Sequence, residues 1–251
     1  MRLLILGGTA DGRIVAKRLD QKKLTVIYSI AGLVRMPDVG CEVISGGFTQ
    51  FGGLKRYIEQ YNISAILDVT HPYAEIMSAK SVRATRETGI PYWRFHRPAW
   101  QSQQGDNWLD FNSWPDLIGS LSGKKSVFFS AGQLDQNTVN TVVNQGTISN
   151  QKQLLRTAVA PKIVLPDTMK WIQAIGPFNI ENELSLMKQY EVDVLVSKNS
   201  GGEGTVAKLH AARQLGIPVH FLTRPVLPET DIILTSREHC EQFVLEHFNV
   251  N

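Results

Sequence analysis

Short apolar runs alternate with polar, helix-compatible stretches along most of the chain. Leu3–Leu6 is the first such run and stops at Gly7-Gly8-Thr9. A polar stretch from Asp11 to Leu19 follows, and Leu24–Tyr28 is the next β-prone run. The order strand, glycine turn, helix, strand predicts the opening of a doubly wound α/β fold. Further strands are predicted at Cys41–Ser45, Ala65–Thr70, Tyr92–Phe95, Ser126–Ser130, Val192–Ser197 and Val219–Leu222. Helical patterns fill several of the gaps: Leu54–Tyr61, Glu75–Thr88, Glu181–Tyr190, Glu203–Leu215 and Arg237–Phe248. Such alternation predicts a mostly parallel sheet with right-handed crossovers.

The pattern occurs twice. GGFTQFGGLKRYIEQYNISAILDVTHP, from Gly46, lines up with GPFNIENELSLMKQYEVDVLVSKNSGG, from Gly176. Downstream, Arg86, Gly89-Ile90-Pro91 and Arg97-Pro98 correspond to Arg213, Gly216-Ile217-Pro218 and Arg224-Pro225. Any two βαβ units share a hydrophobic rhythm, but shared GIP and RP punctuation points to duplicated halves. The polar stretch Gln101–Asn112 is the natural boundary. The expectation is therefore one α/β domain over residues 1–110 and a second over 111–251, with the last helix free to pack on either.

Composition narrows the field. With 43% apolar and 20% charged residues, the 251-residue chain has an ordinary globular balance. A net charge of +3 without a basic stripe argues against nucleic acid. No apolar stretch reaches the roughly 20 residues of a membrane helix. The apolar run at the N-terminus is too short for a secretory signal. The two cysteines, Cys41 and Cys240, form no CxxC pair, which fits a reducing cytoplasm. The six histidines show no metal-ligand spacing, so no metal site is expected.

Candidate chemistry lies at predicted strand ends. Gly7-Gly8-Thr9 opens a helix, where backbone N–H groups and the helix dipole suit a phosphate; the same glycines also suit a tight βα turn. An NAD site usually carries an acid at the end of the second strand. Here Val26-Ile27-Tyr28-Ser29 has none before Asp38, and Ser29 with Arg35 can meet a 2′-phosphate instead. That favours NADPH, with NADH as the alternative. Thr70-His71-Pro72-Tyr73 ends another strand, where a histidine can donate a hydrogen bond or proton or simply cap the next helix. Its repeat counterpart, Lys198-Asn199-Ser200-Gly201-Gly202, suits an anion, or a helix cap on a flexible turn. Trp93, Trp100, Trp108 and Trp114 can line a flat ligand or fill cores. Arg94, Arg97 and Arg224 can pair with ligand carboxylates or lie on the surface.

Taken together these segments resemble the precorrin-6A reductase family, including its cobalt-precorrin-6A branch. The carriers are LLILGGTADGR at Leu3–Arg13, SIAG at Ser29–Gly32, GGF at Gly46–Phe48, DVTHPYA at Asp68–Ala74, GIPYWRFHRPAW at Gly89–Trp100, GPF at Gly176–Phe178 and VSKNSGG with AKLHAARQLGIPV. One departure is ADG at Ala10–Gly12, where relatives often carry an acidic residue followed by alanine. It leaves the role of Asp11 open.

The resemblance implies two Rossmann-like domains with mostly parallel sheets and an interdomain cleft. It implies hydride transfer from a nicotinamide cofactor to a double bond of a polycarboxylate tetrapyrrole in cobalamin biosynthesis. The expected cofactor-binding set is Gly7, Gly8, Thr9, Ala10, Ser29, Arg35, Gly46, Gly47, Phe48 and Thr70. The expected substrate loop is Lys198, Asn199, Ser200, Gly201 and Gly202. His71 and Lys198 are the catalytic candidates. A non-catalytic NADP-binding sensor is the alternative function. A short-chain dehydrogenase would need Tyr-x-x-x-Lys, and no tyrosine here has lysine four residues later.

Overall fold

A computed structural model describes residues 1–32 and 37–250. It divides into two compact units, residues 1–98 with 225–251 and residues 99–224. The strands of the first unit are β1 (Arg2–Leu6), β2 (Thr25–Ile30), β3 (Glu42–Ser45), β4 (Ala65–Asp68) and β5 (Tyr92–Phe95). Those of the second are β6 (Trp108–Phe111), β7 (Ser126–Ser130), β8 (Lys152–Thr157), β9 (Met169–Gln173), β10 (Val194–Lys198) and β11 (Val219–Leu222). The last strand, β12 (Ile232–Leu234), returns to the first sheet.

The two six-stranded sheets have the same architecture. Their orders are β12-β5-β4-β1-β2-β3 and β6-β11-β10-β7-β8-β9, and the strand pairings are parallel. The duplication read from the sequence is therefore structural, with one addition. Strand β6 follows β5 in the chain but joins the second sheet, and β12 follows β11 but joins the first. The chain passes between units at Pro98–Ala99 and Arg224–Pro225, so each repeated Arg-Pro stands at a crossing. A simple division at residue 110 does not describe this arrangement: residues 99–110 and 225–251 each belong to the other unit.

The helices are α1 (Ala10–Gln21), α2 (Leu54–Gln60), α3 (Glu75–Thr88), α4 (Trp114–Gly119), α5 (Gln136–Ser149), α6 (Ile180–Gln189), α7 (Ala207–Leu215) and α8 (Arg237–His247). On one face of the first sheet, α1 and α8 bury Val15, Leu19, Cys240 and Val244 against Leu3, Ile5, Tyr28 and Trp93. On the other face, α2 and α3 contribute Leu54, Tyr57, Ile58 and Val82 to a cluster with Leu4, Leu6 and Ile66. Burial on both faces explains why the central strands read as unbroken apolar runs. The second unit repeats the scheme with Phe129, Val139 and Val194 on one face and Phe128, Leu195, Leu209 and Phe221 on the other.

Candidate functional site

In each sheet the chain winds outward in both directions from a central pair of strands. In the first unit these are β1 and β4, and their carboxyl ends form a topological switch point, where such sheets bind ligands. Gly7-Gly8-Thr9 leaves β1 there, and Val69-Thr70-His71 leaves β4. The Thr9 hydroxyl joins them by donating to the Val69 carbonyl at 2.8 Å. As the N-cap of α1 it also accepts from the Gly12 N–H at 3.0 Å. Thr9 thus ties the turn together through its side chain.

Each glycine of the turn has its own reason. A Cβ on Gly7 would lie 2.2 Å from the ring of Tyr28, so only glycine fits. Gly8 has φ +107°, and a Cβ built there meets nothing within 4 Å. Gly8 is exposed, and its N–H donates to the Tyr28 hydroxyl at 3.0 Å. Burial raises the pKa of Tyr28 above its ordinary value, against the lowering effect of that backbone bond, and the neutral phenol accepts without adding charge. The N–H groups of Ala10 and Asp11, in the first turn of α1, have no intrahelical acceptor. Open space over Gly8 and those donors fit a dinucleotide pyrophosphate. Asp11 is kept from opposing an anion by two cations: Arg97 binds one carboxylate oxygen, and Arg237 lies 3.6 Å from the other.

The other first-unit candidates are placed as follows. Ser29, one residue before the end of β2, is buried, and its carbonyl accepts from the Gly7 N–H at 2.7 Å. Arg35 lies outside the described residues. Gly46 and Gly47, after β3, have φ of +96° and +78°. Phe48 is buried edge-on against Tyr57, with centroids 5.2 Å apart, so its ring serves the core. Thr70 is half-buried, and both its N–H and hydroxyl donate to Asp68, at 2.9 and 2.6 Å. His71 is exposed, and its Nδ1 accepts from the Tyr73 N–H at 3.3 Å, which leaves the ring proton on Nε2 in the neutral form.

In the second unit the loop after β10 carries a side-chain clamp. The Asn199 side chain pairs with one residue's backbone: its Oδ1 accepts from Trp100 N–H at 2.8 Å and its Nδ2 donates to Trp100 O at 3.0 Å. Arg224 donates to the Asn199 carbonyl at 2.8 Å. Asn199 therefore fastens the RPAW segment, and the Ser200, Gly201 and Gly202 backbone carries the rest of the loop. Gly201 has φ +69°. Burial pushes the Lys198 ammonium below the usual lysine value, with Asp135 pulling the other way.

A buried ionic group beside this loop was not foreseen. Arg156, at the end of β8, forms a two-pronged pair with Glu183 and is sandwiched by Phe128 and Phe178, 4.9 and 4.0 Å from their ring centroids. Lys208, in the first turn of α7, donates to the Ser130 carbonyl at 2.9 Å and lies 5.8 Å from the Trp100 ring centroid. Burial, reinforced by Arg156 and opposed by Glu183, lowers Lys208 to about 7. Sequence gave little warning, since nothing marks KLH or LLRT as buried ions. Trp93 packs with Phe243, His247 and Phe248 in the first unit, and Trp100 and Trp108 meet Phe221 in the second.

A doubly wound parallel sheet with a glycine turn and a helix N-terminus at its switch point defines a Rossmann-like unit. Comparison with known proteins carries this further. The model of the precorrin-6x reductase CbiJ/CobK family matches residues 2–244. A precorrin-6A reductase of Rhodococcus erythropolis is 35% identical over 233 residues, 90% of each chain. One from Rhodobacter capsulatus is 34% identical over 241 residues, covering 93% of this chain and 92% of its own. The solved structure titled CobK precorrin-6A reductase superposes with a TM-score of 0.87 at 31% identity, covering 98% of this chain and 97% of that one. The chain belongs to the precorrin-6x reductase CbiJ/CobK family.

Proposed function

We infer that this chain reduces one carbon–carbon double bond of the precorrin-6A macrocycle with NADPH. The observation that carries the reading is the near-complete match, in sequence and fold, to proteins named precorrin-6A reductase. That match gives no support to a non-catalytic sensor. NADPH, when bound, supplies a hydride to one carbon of the double bond, and a proton goes to the other. The protein's part is to bind and orient both molecules.

The first unit takes the cofactor. Gly8 leaves space for the pyrophosphate, the Ala10 and Asp11 N–H groups face it, and Arg97 and Arg237 neutralise Asp11. Ser29 and Arg35 belong to the adenosine half, where the lack of an acid after β2 favours the 2′-phosphate. Gly46 and Gly47 keep the adjoining loop open. His71, exposed at the switch point, positions the nicotinamide half or relays a proton. In the second unit, Lys198 and the Ser200–Gly202 backbone take substrate carboxylates, and Asn199 acts by holding Trp100. No helix among the described residues is long and apolar enough to cross a membrane. The reading fits an enzyme of the cytoplasm.

Titration of NADPH and NADH into the protein tests the cofactor assignment: NADPH binds more tightly, and Arg35→Ala weakens NADPH more than NADH. Tighter binding of NADH rejects it. Lys198→Ala tests the substrate loop by raising the substrate KM about tenfold, the scale of one charged hydrogen bond, with NADPH affinity unchanged. Loss of NADPH binding in that variant would assign the loop to the cofactor instead.

A further inference from the structure

Beneath Thr70 lies a buried carboxylate that the reading above does not use. Asp68, 1% exposed, accepts four hydrogen bonds. Its Oδ1 takes the Thr70 N–H and the Thr70 hydroxyl, at 2.9 and 2.6 Å. Its Oδ2 takes the Ser78 hydroxyl at 2.7 Å and the Tyr92 hydroxyl. Arg94, also buried, places its Nε 3.9 Å from Oδ2 and is anchored by the Pro228 carbonyl at 2.8 Å.

A carboxylate has no proton to give, so the direction of each bond is fixed. Thr70 gives its hydroxyl proton to Asp68 and offers only lone pairs to a ligand. Phosphate oxygens, which also accept, are the wrong partner for it. The right partner carries an N–H or O–H. In the sheet order β4-β1-β2, the adenosine half belongs over β2 and the pyrophosphate over β1. Thr70, on the β4 side, then faces the nicotinamide half, whose donors are the carboxamide N–H and the ribose hydroxyls.

The second unit lacks this device. In its register, Ser197 stands where Asp68 does, between Ser130 and Phe221, and Val219 and Phe221 replace Tyr92 and Arg94. The duplicated fold therefore does not need the carboxylate, and the group is particular to the unit read as the cofactor domain.

We propose that Asp68 is a positioning residue that fixes Thr70 as a hydrogen-bond acceptor for a donor on the nicotinamide half of the cofactor. This rests on the assignment of NADPH to the first unit. The test measures affinity of the full-length protein for NADPH and for 2′,5′-ADP, which carries only the adenosine half. Thr70→Ser keeps both affinities. Thr70→Val and Asp68→Asn weaken NADPH about tenfold and leave 2′,5′-ADP unchanged, because the asparagine amide can donate to Thr70 and reverse its hydroxyl. The 3-acetylpyridine analogue, which lacks the carboxamide N–H, names the donor. Its penalty disappears in Thr70→Val for a carboxamide contact and persists for a ribose contact.

Wild-type NADPH affinity in Thr70→Val overturns the proposal. Parallel loss of 2′,5′-ADP reduces Asp68 and Thr70 to structural parts and also overturns it. If the wild-type protein binds neither nucleotide, the cofactor assignment itself falls; if it binds both and only Thr70→Val is silent, that assignment stands.

Discussion

Gly7 and Tyr28 form a unit that neither residue discloses by itself. The glycine was legible as a turn, but its reason is a tyrosine ring packed against it from the next strand. Gly7→Ala should destabilise the protein by about 1–3 kcal/mol, the usual cost of forcing a methyl into a packed site. Combining it with Tyr28→Leu should recover much of that loss in urea unfolding, whereas simple additivity would show that the two do not interact. Lys208 makes a second residue-scale prediction. Its charge is buried, beside Arg156, and at a helix N-terminus, where a cation is disfavoured. Its folded value of about 7 lies below the ordinary 10.5. The penalty is therefore fully present below about pH 7 and is relieved as pH rises toward the unfolded value. Across that window stability should rise by at most about 1.4 kcal/mol per pH unit from this group. Lys208→Met should compare more favourably with wild type at pH 6 than at pH 9. Equal differences at the two pH values would show that Lys208 does not titrate in the fold.

Most central strands and most helices were legible because each carries a strong local pattern. β5, β7 and β11 have the predicted bounds, as does α3. What escaped were β6, β8, β9, β12, α4 and α5. α5 reads QNTVNTVVNQGTIS, rich in asparagine and β-branched residues that disfavour helix. β9 and β12 are short strands whose pairing is settled by a neighbour rather than by a run of their own. The site divided the same way. The glycine turns were legible as turns, but no pattern disclosed that the Asn199 amide, read as part of the substrate loop, clamps the Trp100 backbone. Asn199→Ala should therefore loosen the Trp100 segment and shift tryptophan emission to the red, while Asn199→Asp, which keeps one acceptor for the Trp100 N–H, should be milder. Unchanged emission in the alanine variant would contradict the clamp.

At the scale of the molecule, duplication explains the common strand order, and exchange of the last strand explains the interleaved chain. The repeat was visible in GIP and RP, but no sequence pattern says that β6 leaves its own half. The consequence is that residues 225–251 complete the first unit. Trp93, 2% exposed, is covered by Phe243, His247 and Phe248 from α8 and its end. Truncation after Arg224 should expose Trp93 and abolish NADPH binding, although every residue proposed to touch the cofactor precedes the cut; a truncated chain that binds normally would refute this.

The central claim is that the chain couples NADPH oxidation to reduction of the macrocycle. Anaerobic incubation with precorrin-6A and NADPH deuterated at the transferred position tests it most directly. The account predicts one NADPH oxidised per macrocycle reduced, with one deuterium and one solvent proton added across the double bond. NADPH binding without oxidation in the presence of precorrin-6A, or a product containing no deuterium, would contradict it.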